Sequence, residues 1–377
     1  MRFNPFSAAF RQDPYPHYAA LRARPPVRTL GMWVFTRHAD VVQILRDKSF
    51  SAELIPALVA RRGGDTGRML RLGRASLVFT DDPAHARLRG LVNRVFTPAA
   101  VAELEPLVRE LAARRVGSLR HDLMAEVAAP LPVEVLGRLL GLPPELYARV
   151  VVWTREIRSL LEPGTLTGDD LARVALALDT FIEVLRDVRA PGLLSRLAAV
   201  RTAGGDRLTE EEIALLGIMC CVAGTETTAA LIGNAALHGS GVAPEQVGAA
   251  VAETLRFDSP LQMTKRIATR PVEIGDARIA VGDQVLLCLA AANRDPAVFA
   301  APDVFDPART PGPHLGFGFG MHGCLGGALA ELQARAVLDA LVRAPTRPSA
   351  EPVRWQTGSL IVRAPEMLPV TAPAGAR

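Results

Sequence analysis

The sequence predicts a mainly α-helical protein with small peripheral β-sheets, and three observations carry that reading. Apolar residues recur at helical spacing from about Pro83 to Phe257. Strand-like alternation is confined to short pieces at Val27 to Thr36, Val272 to Ile279, Gln284 to Leu289 and Leu360 to Val362. Pro and Gly separate one helical segment from the next without a single linker or an internal repeat, so residues 1–377 read as one domain.

Taken in order, Asp13-Pro14 opens a short helix, and the strand Val27 to Thr36 sets Trp33 and Phe35 on one face. Ala52 to Asp81, with Arg61-Arg62-Gly63-Gly64-Asp65, shows little periodicity and reads as a long loop. Glu162-Pro163-Gly164-Thr165 separates two helical stretches. Leu208 to Leu237 reads as one apolar helix, and Ala328 to Leu341 as another.

Composition narrows the function classes. At 377 residues and 49% hydrophobic content, the chain has material for a buried cofactor pocket. The net charge of +4 rests on arginine, since the only lysines are Lys48 and Lys265, and acidic residues are interleaved throughout. Nucleic-acid binding is therefore not expected. The amino terminus, Met1-Arg2-Phe3-Asn4-Pro5-Phe6, has neither a signal-peptide core nor a bilayer-spanning run, so a soluble, cytoplasmic protein with no membrane partner is expected. Cys220, Cys221, Cys288 and Cys324 have no disulfide-framework spacing, which fits a reducing compartment.

The densest chemistry lies at Phe317-Gly318-Phe319-Gly320-Met321-His322-Gly323-Cys324-Leu325-Gly326, one cysteine in a glycine-rich loop running into a helix. Gly318, Gly320 and Gly323 permit positive φ and close backbone approach, so amide N–H groups can turn toward the sulfur. The helix dipole also favours a thiolate there. An inert buried thiol is the bland alternative. A zinc site from Cys324 and His322 fails on ligand count, because no second C-x-x-C or H-x-x-x-H cluster completes a tetrahedral shell.

This loop resembles the haem-binding signature of the cytochrome P450 superfamily, F-G-x-G-x-H-x-C-x-G, at every fixed position, followed by the common Leu329-Ala330 pair. The resemblance, which runs from about Asp13 to Val370, implies the cytochrome P450 fold and haem b (iron protoporphyrin IX) ligated by Cys324, with Phe317, Gly318 and Gly326 shaping the loop. Ala223-Gly224-Thr225-Glu226-Thr227-Thr228, a polar island in an apolar helix, is similar to the family's A-G-x-[DE]-T motif. It implies that Ala223 and Gly224 make room beside the cofactor, while Glu226 and Thr227 deliver protons. On residues alone, the threonines could simply bond back to preceding carbonyls.

Further positions follow from the same resemblance. Glu253 and Arg256, at i and i+3, match the E-x-x-R ion pair, with Arg309 as the third member. His85 and Arg89 match the H-x-x-x-R propionate contacts, completed by Arg266 and His322. Asn293-Arg294-Asp295-Pro296 is read as a structural turn. The chain departs from the pattern between Thr227 and Glu253, where the spacing of 253 − 227 = 26 positions is short, and at Ala252, where relatives carry an acid.

The implied activity is a haem-thiolate monooxygenase that hydroxylates or epoxidises a hydrophobic small molecule, in secondary-metabolite biosynthesis. Electrons would come from ferredoxin and ferredoxin reductase, with Arg87 and Arg94 as contacts. The substrate would meet the Ala52 to Leu77 loop, Val222, Ala223, Leu261 to Thr264, and the turn at Ser359-Leu360. A peroxide-driven enzyme, oxidative coupling and a non-enzymatic haem sensor remain the alternatives.

Overall fold

A computed structural model describes residues 3–55, 67–162, 166–188, 190–349 and 351–371. The longer helices are α1 (Tyr15–Arg22), α2 (His38–Arg46), α3 (Gly67–Ala75), α4 (Ala84–Val92), α5 (Glu105–Ser118), α6 (Pro130–Leu140), α7 (Tyr147–Arg158), α8 (Gly168–Asp187), α9 (Glu210–Gly224), α10 (Glu226–Gly239), α11 (Val247–Phe257) and α12 (Gly327–Arg343). The strands used below are β1 (Val27–Thr29), β2 (Met32–Phe35), β3 (Thr264–Ala268), β4 (Val272–Ile274), β5 (Ala277–Ile279) and β6 (Gln284–Leu287). The mainly helical class with small sheets is therefore as the sequence indicates.

The chain forms two compact units, one of Met1–Phe50, Pro106–Leu131 and Glu226–Arg377, the other of Ser51–Glu105 and Pro132–Thr225. In the first unit, four strands run in the order β1-β2-β6-β3. β1 and β2 are antiparallel with Val27 opposite Val34, β2 and β6 are parallel, and β3 is antiparallel to β6. What reads in sequence as one strand over 27–36 is a hairpin, because Leu30 and Gly31 both take positive φ (52° and 73°) and reverse the chain. β4 and β5 form a second hairpin around Gly275 (φ 54°). Against this layer lies a core of Phe35, Val41, Ile44, Leu45, Val285, Leu287 and Leu315. Leu315 is the last buried apolar residue before the cysteine loop.

Two further expectations are corrected, and a third falls largely outside the described residues. Within Ala52 to Asp81, residues 56–66 lie outside the described part, but Gly67–Ala75 is helix α3 rather than loop. Its buried Met69, Leu72 and Ala75 recur every third residue, a stripe obscured in sequence by the arginines between them. Leu360 to Val362 forms no strand and contributes one isolated bridge, Leu261 to Val362. Of the break at Glu162-Pro163-Gly164-Thr165, residues 163–165 lie outside the described part.

Glu210–Gly239 is long and apolar enough to cross a bilayer, yet 72% of its apolar window is buried inside the protein. Its apolar surface is spent on the core. The helix is not continuous: α9 ends at Gly224 and α10 begins at Glu226, with Thr225 at φ −85° and ψ −72° between them.

Candidate active site

The cysteine loop is built from its own backbone. Gly318 (φ 69°) and Gly320 (φ 73°) take left-handed conformations that a side chain would strain. Gly320 also passes close to α2, where an added Cβ would lie 3.1 Å from the Leu45 carbonyl oxygen. The Cys324 N–H donates to the Phe317 carbonyl (2.8 Å), and the Gly323 N–H donates to Gly320 (3.0 Å). Those two amides are therefore used within the loop and do not turn toward the sulfur. Further donors are offered by the first amides of α12, which starts at Gly327 with Gly326 as N-cap and no side-chain cap. Across that start, an added Cβ at Gly327 would sit 3.3 Å from the Phe317 ring.

Among the four cysteines, Cys324 alone is exposed. Burial pushes the Cys221 and Cys288 thiols well above their ordinary range, so both stay protonated. Among the described residues, no three His, Cys, Asp or Glu side chains gather as a metal-binding group. An accessible cysteine on a fixed loop suits a cofactor that brings further metal ligands of its own. It does not suit zinc held by protein alone.

The loop is anchored from behind by a polar cluster in the same unit. Arg256 donates through Nε to Glu253 Oε2 (2.9 Å) and through Nη2 to Glu253 Oε1 (2.7 Å). Arg309 Nε adds a third contact to Glu253 Oε1 (3.3 Å). The remaining Arg256 hydrogens reach the carbonyls of Asn293, Pro302 and Val304. Asn293 passes the order on: its Oδ1 accepts from the Leu315 N–H (2.6 Å), and its Nδ2 donates to Ser259 Oγ (2.8 Å). Gly316, next in the chain, leaves no room for a Cβ, which would meet the Leu255 carbonyl oxygen at 2.7 Å. The sequence reading had Asn293 only as part of a turn. Its partners, 22 and 34 residues away, give no local signal.

On the long helix, the stretch around the motif is the place where burial lapses. Ile218, Cys221 and Val222 on one side and Thr228, Ala230 and Leu231 on the other are buried. Between them Ala223 is exposed, and Gly224, Glu226 and Thr227 are half-buried. The motif is thus less buried than the helix residues on either side of it. Of the motif's threonines, Thr225 bonds back, its Oγ1 donating to the Cys221 carbonyl (2.9 Å). The irregularity sits at Thr225, while Gly224 admits Leu136, whose Cδ1 would lie 3.0 Å from an added Cβ. Ala223 and Gly224 belong to the second unit, and Glu226 and Thr227 to the first.

His85 and Arg89 sit one turn apart on α4 in the second unit, with His85 buried. Arg266, in β3 of the first unit, is also buried, and its Nη1 donates to the Lys265 carbonyl (2.7 Å). His322 ends the turn Gly320–His322 before the cysteine. Arg87 is already occupied: it pairs with Asp206 (2.9 Å) and Glu212 (2.6 Å) and donates to the Arg207 carbonyl. Those carboxylates hold its guanidinium above the ordinary arginine range, so it stays charged within this cluster. Arg94 donates to the Arg201 carbonyl (3.4 Å).

Comparison with known proteins adds a family. The model of the family described as Cytochrome P450 matches residues 246–344, the span holding Glu253, Arg256, Arg309 and Cys324. A biotin biosynthesis cytochrome P450 of Bacillus subtilis is 32% identical, covering 97% of this chain and 98% of that one. A vitamin D(3) 25-hydroxylase of Pseudonocardia autotrophica is 36% identical over 89% of this chain and 87% of that protein. Among solved structures, a cytochrome P450 in complex with an acyl carrier protein ligated to hexadec-9Z-enoic acid superposes with a TM-score of 0.85. It shares 30% identity, with 97% of this chain and all of that chain covered.

Proposed function

This chain belongs to the cytochrome P450 family, and from that premise we propose that it is a haem-thiolate monooxygenase acting on a hydrophobic small molecule in a biosynthetic pathway. The observation that carries the reading is the exposed Cys324 on its rigid glycine loop, set against two buried thiols kept protonated. When bound through that sulfur, iron protoporphyrin IX supplies the oxidising chemistry: substrate, dioxygen, two electrons and two protons give the oxygenated product and water.

The chain's own residues then have distinct tasks. Cys324 holds the iron, and the first amides of α12 temper the charge on its sulfur. His85, Arg89, Arg266 and His322 neutralise the two propionates, which burial would otherwise penalise. Thr227 and Glu226, half-buried at the point where the long helix becomes accessible, hold and pass the two protons; an alcohol positions a proton, and an acid connects it to solvent. Glu253, Arg256 and Arg309 keep the loop in place.

Electrons come from a separate ferredoxin and its reductase in the cytoplasm. An apolar substrate is supported by Leu261 and Leu360, half-buried apolar residues on segments that this reading places at the pocket. The hydrophobic molecules named for the relatives point the same way. The test is turnover of apolar candidates with a ferredoxin, ferredoxin reductase and NADPH, in parallel with hydrogen peroxide alone. Product carrying one added oxygen only with the reductase system supports the proposal. Equal product from peroxide alone, a coupled product without added oxygen, or no turnover in a haem-loaded protein would each replace it with one of the alternatives.

A further inference from the structure

Apart from the Glu253–Arg256 cluster, a second buried charge in the first unit gathers several partners: Asp258, the C-cap of α11. Its Oδ1 accepts from Tyr15 Oη (2.7 Å) and Arg363 Nε (2.9 Å), and its Oδ2 lies 3.0 Å from His238 Nε2. Its backbone carbonyl accepts from Asn234 Nδ2 (2.9 Å), and the same amide reaches the Arg363 carbonyl (3.1 Å). Arg363 donates further to the carbonyls of Arg11 and Gln12 and stacks on Trp355, with its guanidinium carbon 3.4 Å from the ring centroid. A single carboxylate therefore ties together α1, α10, α11 and the carboxy-terminal segment.

Two short turns hang on this knot. Next to Asp258 comes Leu261 to Met263, and next to Arg363 comes Ser359 to Ile361. The backbone joins them: the Arg363 N–H donates to Pro260 (2.8 Å), the Gln262 N–H to Ile361 (2.7 Å), and Leu261 bridges Val362. Tyr18, one turn beyond Tyr15, donates from Oη to Gln262 Oε1 (3.3 Å). Asn234 lies seven residues beyond Thr227 on α10, so the same helix face carries the proton-handling alcohol and the amide that holds the Asp258 and Arg363 carbonyls flanking the turns.

A buried ion pair is a weak stabiliser, because desolvation offsets much of its attraction, but it specifies geometry well. We propose that Asp258 and Arg363 are positioning residues that set the two turns relative to α10, and so fix the wall against which an apolar substrate is oriented. This rests on the monooxygenase reading above, which places both turns at the pocket. The expected consequence of loosening the knot is a displaced wall with an unchanged iron site.

The test uses the full-length haem-loaded protein and two probes that bind iron through nitrogen. Imidazole barely extends beyond the metal, whereas 4-phenylimidazole carries a ring that must fit the wall. Asp258→Asn and Tyr15→Phe should each weaken 4-phenylimidazole relative to imidazole, by about tenfold and about threefold, while imidazole affinity and the reduced carbon monoxide spectrum stay as in wild type. A general loss of stability would move both probes together. If Asp258→Asn does not fold, Tyr15→Phe, which keeps the ion pair and deletes one hydroxyl, decides alone. An unchanged ratio of the two affinities in Tyr15→Phe with the iron site intact overturns the proposal. Failure of imidazole to perturb the wild-type spectrum would instead overturn the haem reading itself.

Discussion

Arg256 grips both carboxylate oxygens of Glu253 through Nε and Nη2, at 2.9 and 2.7 Å, with the side chains 3% and 6% exposed. Arg309 Nε reaches Oε1 of the same carboxylate at 3.3 Å. The cluster is placed where an uncompensated charge would be costly, so its members are not interchangeable with neutral residues.

Glu253→Ala is therefore expected to destabilise the protein by about 3–5 kcal/mol, the cost typical of stranding a buried partner. Arg309→Ala should cost less, since Arg256 still satisfies the carboxylate. Urea unfolding followed by circular dichroism checks both. Equal, small effects would mean that the cluster is dispensable.

Thr227→Ala should leave haem content and the carbon monoxide spectrum unchanged while more of the NADPH consumed appears as hydrogen peroxide. Removing the hydroxyl takes away a proton position without touching the thiolate loop. Parallel measurement of NADPH, peroxide and product checks it, and wild-type coupling in the variant would remove Thr227 from the proton path.

How much of this was legible beforehand depends on the range of the interaction. The cysteine loop and the Glu253–Arg256 spacing are local patterns, and the sequence carries them outright. The hairpin at Leu30-Gly31 was missed because a leucine with positive φ is unusual and Gly31 is the only cue. Helix α3 was missed because its arginines hide a narrow apolar stripe. The Asp258 knot was invisible, since Tyr15, His238 and Arg363 lie 243, 20 and 105 residues away. No periodicity encodes such meetings.

Asp258 also gives a pH prediction. Burial works to raise its carboxyl, but Arg363, His238 and Tyr15 outweigh it and bring the pKa down to about 2 from an ordinary 3.8. With the folded value depressed, the stabilisation is present above the ordinary value and lost as pH falls toward about 2. It amounts to about 2 kcal/mol. The stability gap between wild type and Asp258→Asn should thus narrow between about pH 5 and pH 2. A constant gap across that window would contradict the assignment.

Thiol reactivity separates the cysteines in protein prepared without haem. Iodoacetamide at neutral pH should label Cys324 first, because it is exposed, and leave Cys221 and Cys288 unlabelled until the chain unfolds. Peptide mass mapping reads the order. Early labelling of Cys288 would show that its surroundings open.

The central claim is that Cys324 ligates haem iron as a thiolate. The most direct measurement is the absorption spectrum of the dithionite-reduced protein under carbon monoxide, for wild type and Cys324→Ser side by side. The account predicts a Soret band at the position diagnostic of thiolate ligation in wild type and its loss in the variant. A folded wild-type protein that takes up no haem, or a variant that keeps the same band, would contradict it.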